Sequence, residues 1–600
     1  MKPVLTKFGI CLALVIMTGC VYWQIRHHGT VNTDDFHITT NKFVDNAYSY
    51  QGLLEGMSTL VAGIWMPLVY LSAGAQMEFF GRDFGLYHLV AAGIHAANAV
   101  ILFLLLFQMT GALWKSALAA ALFAVHPLNV EPVAWLACLR VIQSGFCCLL
   151  TLYFYALYAA RRSSFYYTLS LFWYAASLFS VPMFPAVPFL LLLLDFWPLG
   201  RLGGKEKIGR AVWEKFPFFG IMAILLAIVM FSHNLSTSPG IDPYPLPERI
   251  LNVFYAYVGF IQQTLIPFNI AVYYPFPDSF PFWKTGGAVL ALFIITAISL
   301  RRVRRYPFLI IGWLWFAGMM FPLSGIAQIG TQSRSDHYAY IPLIGLLIFI
   351  VWGAAAVVEK RRLPGKPVAV ASVIVIVLLA FVSWRQAGYW KDSETLMRHA
   401  LKVTRNNFEA HNYLAQALAD QGDLDAAVDH FKKALAIKPD HLKSHINLAN
   451  VYISTGQADR AIYHLNRALE KDPTDARLYN NLGALYEKTG DARAALVNYR
   501  KAVALNPGYA PAYDNLAVVE ANTGDLAGAV GHFQQALAIN PRSAGTHFRL
   551  AVTLVQAGRE EEAKQHLLTA ITLDPANPQF RELLNLFRQG RPAALTGTEN

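Results

Sequence analysis

Charge is what this sequence has least of. Only 14% of its 600 residues are Asp, Glu, Lys or Arg, while 55% are hydrophobic, and a soluble globular chain carries about a quarter charged residues. An ordinary water-facing surface is therefore excluded, and the lipid bilayer must be part of the solvent. Cysteine is scarce as well. The five (Cys11, Cys20, Cys138, Cys147 and Cys148) lie in or beside apolar segments, which excludes a disulfide framework. The last third has no charge of one sign in excess: residues 391–600 balance 23 basic against 23 acidic groups, so the net +11 falls wholly in residues 1–390. Basic loops between apolar runs produce that pattern on a cytoplasmic face. The basic balance is thus no sign of nucleic-acid binding, and no nucleic-acid partner is expected. No cofactor or metal-ligand spacing stands out, so no metal is expected either.

What is present begins with apolar runs long enough to approach the roughly 30 Å of hydrocarbon. Twelve centre on residues 5–24, 86–108, 112–126, 140–160, 164–182, 184–199, 216–232, 249–266, 284–300, 306–325, 338–358 and 367–385. Thr18-Gly19-Cys20 is similar to a lipoprotein cleavage box, but so many later runs favour a retained first span over residues 4–24. Basic clusters at Arg161-Arg162, Arg201 to Lys215, Arg301 to Arg305 and Lys360 to Lys366 belong on the cytoplasmic side, which requires an even number of crossings between neighbouring clusters. Three runs lie between Lys215 and Arg301. The run 249–266, flanked by proline-rich stretches, is the one expected to stay re-entrant or interfacial. Residues 1–385 are thus predicted to form a domain of about 11 spans with a large outer loop over 25–85. An odd count puts everything after Arg385 on the periplasmic or lumenal side of a bacterial inner membrane or endoplasmic reticulum. Asp34, Asp35, Glu131, Arg140, Arg334, Asp336 and His337 all fall in or beside loops on that outer face, so a site is sought there.

The last third repeats itself. Pro439, Pro473, Pro507, Pro541 and Pro575 are 34 residues apart, and so are Gly422, Gly456, Gly490, Gly524 and Gly558. Alanines keep the same step from Ala427 to Ala563 and from Ala434 to Ala570, where only a small side chain lets two antiparallel helices close. This is the tetratricopeptide period. Residues 386–407 are predicted as linker and half-repeat, 408–577 as five repeats, 578–590 as a capping helix and 591–600 as a disordered tail. The fold class that follows is all-α, a polytopic transmembrane helix bundle followed by a tetratricopeptide-repeat α-solenoid. Its inner helices suit an extended peptide ligand. Asn447, Asn481 and Asn515 share one inner-helix position, where their amides either hold a peptide backbone or sit on a solvated face.

Six stretches then carry a likeness: Asp34 to Asn41, Trp65 to Gly81, His88 to Asn98, His126 to Arg140, Pro182 to Arg201 and Arg334 to Pro342. In this order, followed by the repeats, they resemble the transmembrane and tetratricopeptide-repeat proteins. The membrane half of that family is similar to the C-type (GT-C) glycosyltransferases of the protein O-mannosyltransferase kind. The resemblance implies a polyprenyl-phosphate sugar, a lipid-linked donor substrate, and an active-site acidic pair in the first outer loop. That role falls on Asp34 and Asp35. Transfer to a Ser or Thr hydroxyl needs a carboxylate to take the proton and cations to hold the leaving phosphate, for which Arg140, Arg334 and His337 are the candidates.

The likeness has departures. Cys138, Leu139 and Val141 stand in a run where the family carries charged residues, Met66 stands for a His, Val181 for a Lys and His337 for an Arg. Two readings are carried forward: a glycosyltransferase acting on Ser or Thr of protein acceptors recruited by the repeats, or a non-catalytic membrane-anchored scaffold for protein–protein interaction or envelope assembly. His88, His95 and Asn98 share one helix face and serve either the site or interhelical hydrogen bonding. Glu131 serves the site or ends its helix. Asp195, near Arg201, belongs to the cytoplasmic end.

Overall fold

The computed structural model describes residues 2–32, 35, 66–202, 205–235, 244–326 and 330–588. Two compact units divide the chain, Met1–Ala417 and Leu418–Asn600, and both are helical. The one sheet among the described residues pairs Tyr274–Pro275 antiparallel with Gln332–Arg334.

Among the described residues of the first unit seven helices are long and apolar enough to cross a bilayer: Val4–His27, Phe84–Thr110, Leu136–Arg161, Ile208–Ile228, Phe282–Arg301, Pro342–Arg361 and Gly365–Lys391. Leu113–Val125 and Pro127–Ala134, bent by 53° at their junction, count as an eighth if they form one broken span. The three other crossings expected from sequence fall on Ser164–Ser180, Val187–Phe196 and Pro307–Met320, all shorter than 18 residues. The run predicted to be re-entrant forms the helix Leu246–Leu265, whose buried face carries Asn252, Gln263 and Thr264. The described part of residues 25–85 holds the helix Pro67–Phe80, and the short 3₁₀ turn Trp23–His27 leads into that part.

These helices need hydrocarbon around them. On Gly365–Ala387, Val373, Val377 and Phe381 are each 58–59% exposed, an arrangement that water would penalise by roughly 25 cal/mol per Å² of apolar surface. The set of apolar helices fits an integral membrane unit. Association between such helices cannot draw on apolar burial alone, because lipid is as apolar as leucine, so close contact and hydrogen bonds take over. Pro307–Met320 and Pro342–Arg361 meet at two glycines. A Cβ on Gly312 would lie 2.6 Å from the Gly345 carbonyl oxygen, and one on Gly345 would lie 2.5 Å from that of Gly312. Elsewhere the Tyr340 hydroxyl joins three elements. His95 donates from Nε2 to the Ala124 carbonyl (3.1 Å), so its Nδ1 accepts the Tyr340 proton (2.8 Å), while Asn98 Nδ2 donates to the Tyr340 oxygen (2.8 Å) and to the Ile142 carbonyl (3.1 Å). His95 and Asn98 therefore act between helices.

The second unit is a solenoid of helix pairs: Leu442–Ser454 with Ala458–Lys471, Ala476–Lys488 with Ala492–Leu505, Ala510–Asn522 with Leu526–Ile539, and Ala544–Gln556 with Glu560–Leu573. Leu424–Ile437 precedes them, and Pro578–Arg588 covers the end by adding Phe580 and Leu583 to the last core cluster. The turn that leads into Leu424–Ile437 and the turn inside each of the four pairs need a left-handed residue. Gly422, Gly456, Gly490, Gly524 and Gly558 supply it with φ between 73° and 92°, where a Cβ would be strained. Asp423, Asp491 and Asp525 then cap the following helices by accepting N–H bonds from Ala426, Ala494 and Gly528. The ten alanines of the 34-residue step are all buried.

Candidate functional site

The site grows from a helix that breaks. Pro127 follows Val125 by two residues and cannot continue its hydrogen-bond ladder, so the chain turns through Pro127–Asn129 into the short helix Val130–Ala134. Side chains take up the freed backbone groups. His126 Nδ1 accepts the Leu128 N–H (3.2 Å) and its Nε2 donates to the Thr264 carbonyl (3.1 Å), while Asn129 donates to the Phe123 carbonyl (2.7 Å). Such repair is what allows irregular backbone inside a membrane protein. A second 3₁₀ turn, Leu136–Cys138, leads into the helix Leu139–Arg161.

Other loops gather on this broken segment. Asp35 is 2% exposed; its Oδ1 accepts the N–H of Ala137 (2.9 Å) and its Oδ2 that of Val31 (2.8 Å). The first loop is thereby tied to the 126–140 segment. Its neighbour Asp34 lies outside the described residues. From the other side comes the 3₁₀ turn Asp336–Ala339, where His337 Nδ1 hydrogen-bonds Glu131 Oε1. Glu131 is fully enclosed, and its Oε2 has no hydrogen-bond partner. Cys138 Sγ completes the group, with one ligand-type atom of each of Glu131, Cys138 and His337 within 4.8 Å of the others.

Arg334 leads into the same turn along the small sheet. Its guanidinium lies over the Tyr274 ring at 4.0 Å from the centroid, a favourable cation–π position. Gly259 makes that possible, since a Cβ there would come within 2.9 Å of the guanidinium carbon. The Tyr274 hydroxyl donates to Asp336 Oδ2 (3.1 Å) and accepts from Ala271 N and Gln263 Nε2. Asp336 is buried, and desolvation followed by the charge of Glu131 pushes its carboxyl well above the usual carboxylate range, with Arg334 pulling the other way. Arg140 is half-buried and acts electrostatically on Tyr338, whose phenol burial has raised. Arg140, Arg334, His337 and Asp35 thus converge on one loop-built region.

Two groups singled out in sequence lie elsewhere. Asp195 is buried in a separate ionic cluster, accepting from the Tyr155 hydroxyl (2.8 and 2.9 Å) and pairing with Arg201 and Lys215. In the solenoid Asn447, Asn481 and Asn515 sit at equivalent positions of successive first helices and are half-buried. Asn515 donates its amide to Asn480 Oδ1 of the preceding repeat (3.0 Å), so one of the three amides already bridges repeats. Glu131 and Asp336 were seen in sequence as neighbours of a site; the grouping of Glu131 with Cys138 and His337 was not. No spacing signals it, because the members are 7 and 199 residues apart along the chain.

Tetratricopeptide-repeat family models match residues 418–486 and 521–586, residues 384–441, and residues 476–509; the chain carries these repeats. Protein O-mannosyl-transferase TMTC4 of Mus musculus is 28% identical over 98 residues, covering 16% of this chain and 13% of that protein. Protein O-mannosyl-transferase TMTC1 of Homo sapiens is 22% identical over 152 residues, covering 25% of this chain and 17% of that protein. The matched stretches thus span less than a fifth of either relative. Among solved structures, MamA (24% identity, 28% of this chain, 93% of that chain, TM-score 0.27) and the tetratricopeptide-repeat protein YrrB (22%, 32%, 98%, 0.29) are similar.

Proposed function

We propose that this chain is a membrane glycosyltransferase that moves a sugar from a polyprenyl-phosphate donor to Ser or Thr hydroxyls of proteins recruited by its repeats. The observation that carries the reading is the convergence of Asp35, Arg140, Arg334 and His337 on one loop-built region of a membrane unit joined to a peptide-binding type of solenoid. The local likeness to protein O-mannosyl-transferases supports it.

The roles divide by what each side chain has left to offer. Both Asp35 oxygens accept backbone N–H groups, so Asp35 fixes the first loop, and Asp34 is the residue offered as general base for the acceptor hydroxyl. Arg140 and Arg334 balance the charge of the leaving lipid phosphate, with His337 beside them. A donor with an isoprenoid tail explains residence in the membrane. The repeats lie on the periplasmic or lumenal side in this reading, where Asn447, Asn481 and Asn515 face the protein acceptor.

A non-catalytic scaffold is the second reading, and the use of both Asp35 oxygens in backbone bonds favours it. Complementing a deletion strain with Asp34→Asn or Asp35→Asn separates the two. Losing a positioned base lowers rate by roughly 10²- to 10⁴-fold, so mass spectrometry of envelope proteins should show glycan loss with Asp34→Asn while the protein remains in the membrane. Wild-type glycan levels in the double Asn variant would leave the scaffold.

A further inference from the structure

We propose that Glu131, Cys138 and His337 form a binding site for one zinc-type divalent cation, an inference that does not rest on the transferase reading. Three different kinds of donor atom, a carboxylate oxygen, a thiol sulfur and an imidazole nitrogen, lie within 4.8 Å of one another, and all three residues are buried. Neighbouring ligands of a tetrahedral zinc ion with bonds of about 2.0 to 2.3 Å stand roughly 3.3 to 3.8 Å apart.

The second observation is the unpartnered Glu131 Oε2. A carboxylate oxygen enclosed without a hydrogen-bond partner is costly to bury, and few buried polar atoms are left so without a reason. A cation supplies one. Its charge also fits the place, because the Glu131 carboxylate and a Cys138 thiolate together neutralise a divalent ion, leaving no net charge to be solvated in the interior. The thiol proton goes to solvent when the metal binds. Cys138 is the residue from which the helix Leu139–Arg161 starts, and the unpaired N–H groups of a helix N-terminus favour an anion.

The donor set selects the metal. Magnesium and calcium take all-oxygen shells, whereas sulfur and imidazole favour zinc. Three protein ligands leave the fourth tetrahedral position open to water or an oxyanion. The supporting residues are held in place: Ala137, next to Cys138, is bonded through its N–H to Asp35, and Asp336, which opens the His337 turn, accepts from the Tyr274 hydroxyl. The bound ion takes the place of the Glu131–His337 hydrogen bond.

The test uses the full chain in detergent, free of any histidine tag, stripped with a chelator and titrated with Co²⁺. One cobalt per chain should bind and give tetrahedral visible bands with a thiolate-to-cobalt charge-transfer absorption that Zn²⁺ abolishes by displacement. Cys138→Ser should remove the charge-transfer absorption, and Cys138→Ser or His337→Gln should weaken Zn²⁺ binding at least about 10-fold. Absence of stoichiometric cobalt, or a charge-transfer absorption that survives Cys138→Ser, would overturn the proposal. The wild-type spectrum alone decides the matter if either variant fails to fold.

Discussion

The two units solve helix packing in opposite ways. In the solenoid the main contacts are copies of one another: small alanines at a 34-residue step let paired helices close around apolar cores. In the membrane unit no contact repeats. Helices close at particular glycines, such as Gly312 with Gly345, and through particular polar bonds such as those converging on the Tyr340 hydroxyl. Water drives the first kind of packing and lipid offers no such drive to the second. A periodic solution spreads its stability over many equal parts; an aperiodic one concentrates it at a few positions.

Three changes sharpen that contrast. The largest effect is expected from Gly345→Leu, whose side chain has to displace the backbone of the neighbouring helix; we expect a loss of about 3 kcal/mol or more, read as faster hydrogen exchange over Pro307–Met320 and Pro342–Arg361. An intermediate effect is expected from Gly490→Ala, since alanine at φ 85° costs about 1–2 kcal/mol. Thermal unfolding should register it, and the same change at Gly456 should cost a similar amount if repeats are interchangeable. Unequal losses would show that the repeats are not equal parts.

The smallest effect concerns acid. His445 and His464 meet through their Nδ1 atoms at 2.9 Å, and His547 and His566 repeat the arrangement three units on at 3.0 Å. Burial and then His445 push His464 down to about 4. The unfolded chain, with an ordinary histidine value near 6.5, binds more protons between those limits, so stability should fall as pH drops from about 6.5 to 4 and level off below. Replacing His464 with Asn should flatten that slope in pH-dependent melting of the full chain. An unchanged slope would place the acid sensitivity elsewhere.

How much could be read from the chain follows the same divide. The repeats announced themselves because identical local environments demand identical residues, down to the left-handed glycines. His95 and Asn98 were legible as a polar face, since three residues along a helix share a side, and Asp195 was separable from the site by its basic neighbours. The meeting of Glu131, Cys138 and His337 was not legible. It depends on a proline-broken helix and a turn some two hundred residues later being brought together; Cys138 read in sequence only as a departure from a family pattern, and His337 as a candidate for holding the phosphate. Gly259 was equally silent, because its reason is the Arg334 guanidinium stacked against it. Of the acidic pair, Asp35 gained a place and Asp34 lies outside the described residues.

The uniform spacing of the turn glycines has one more consequence. Since each helix pair touches chiefly its immediate neighbours, a gain or loss of 34 residues in the interior of the array leaves every remaining junction of the same kind. The length of surface offered to a partner is therefore set in whole steps. Gene duplication and deletion can tune it like the links of a chain, with no new interface to invent.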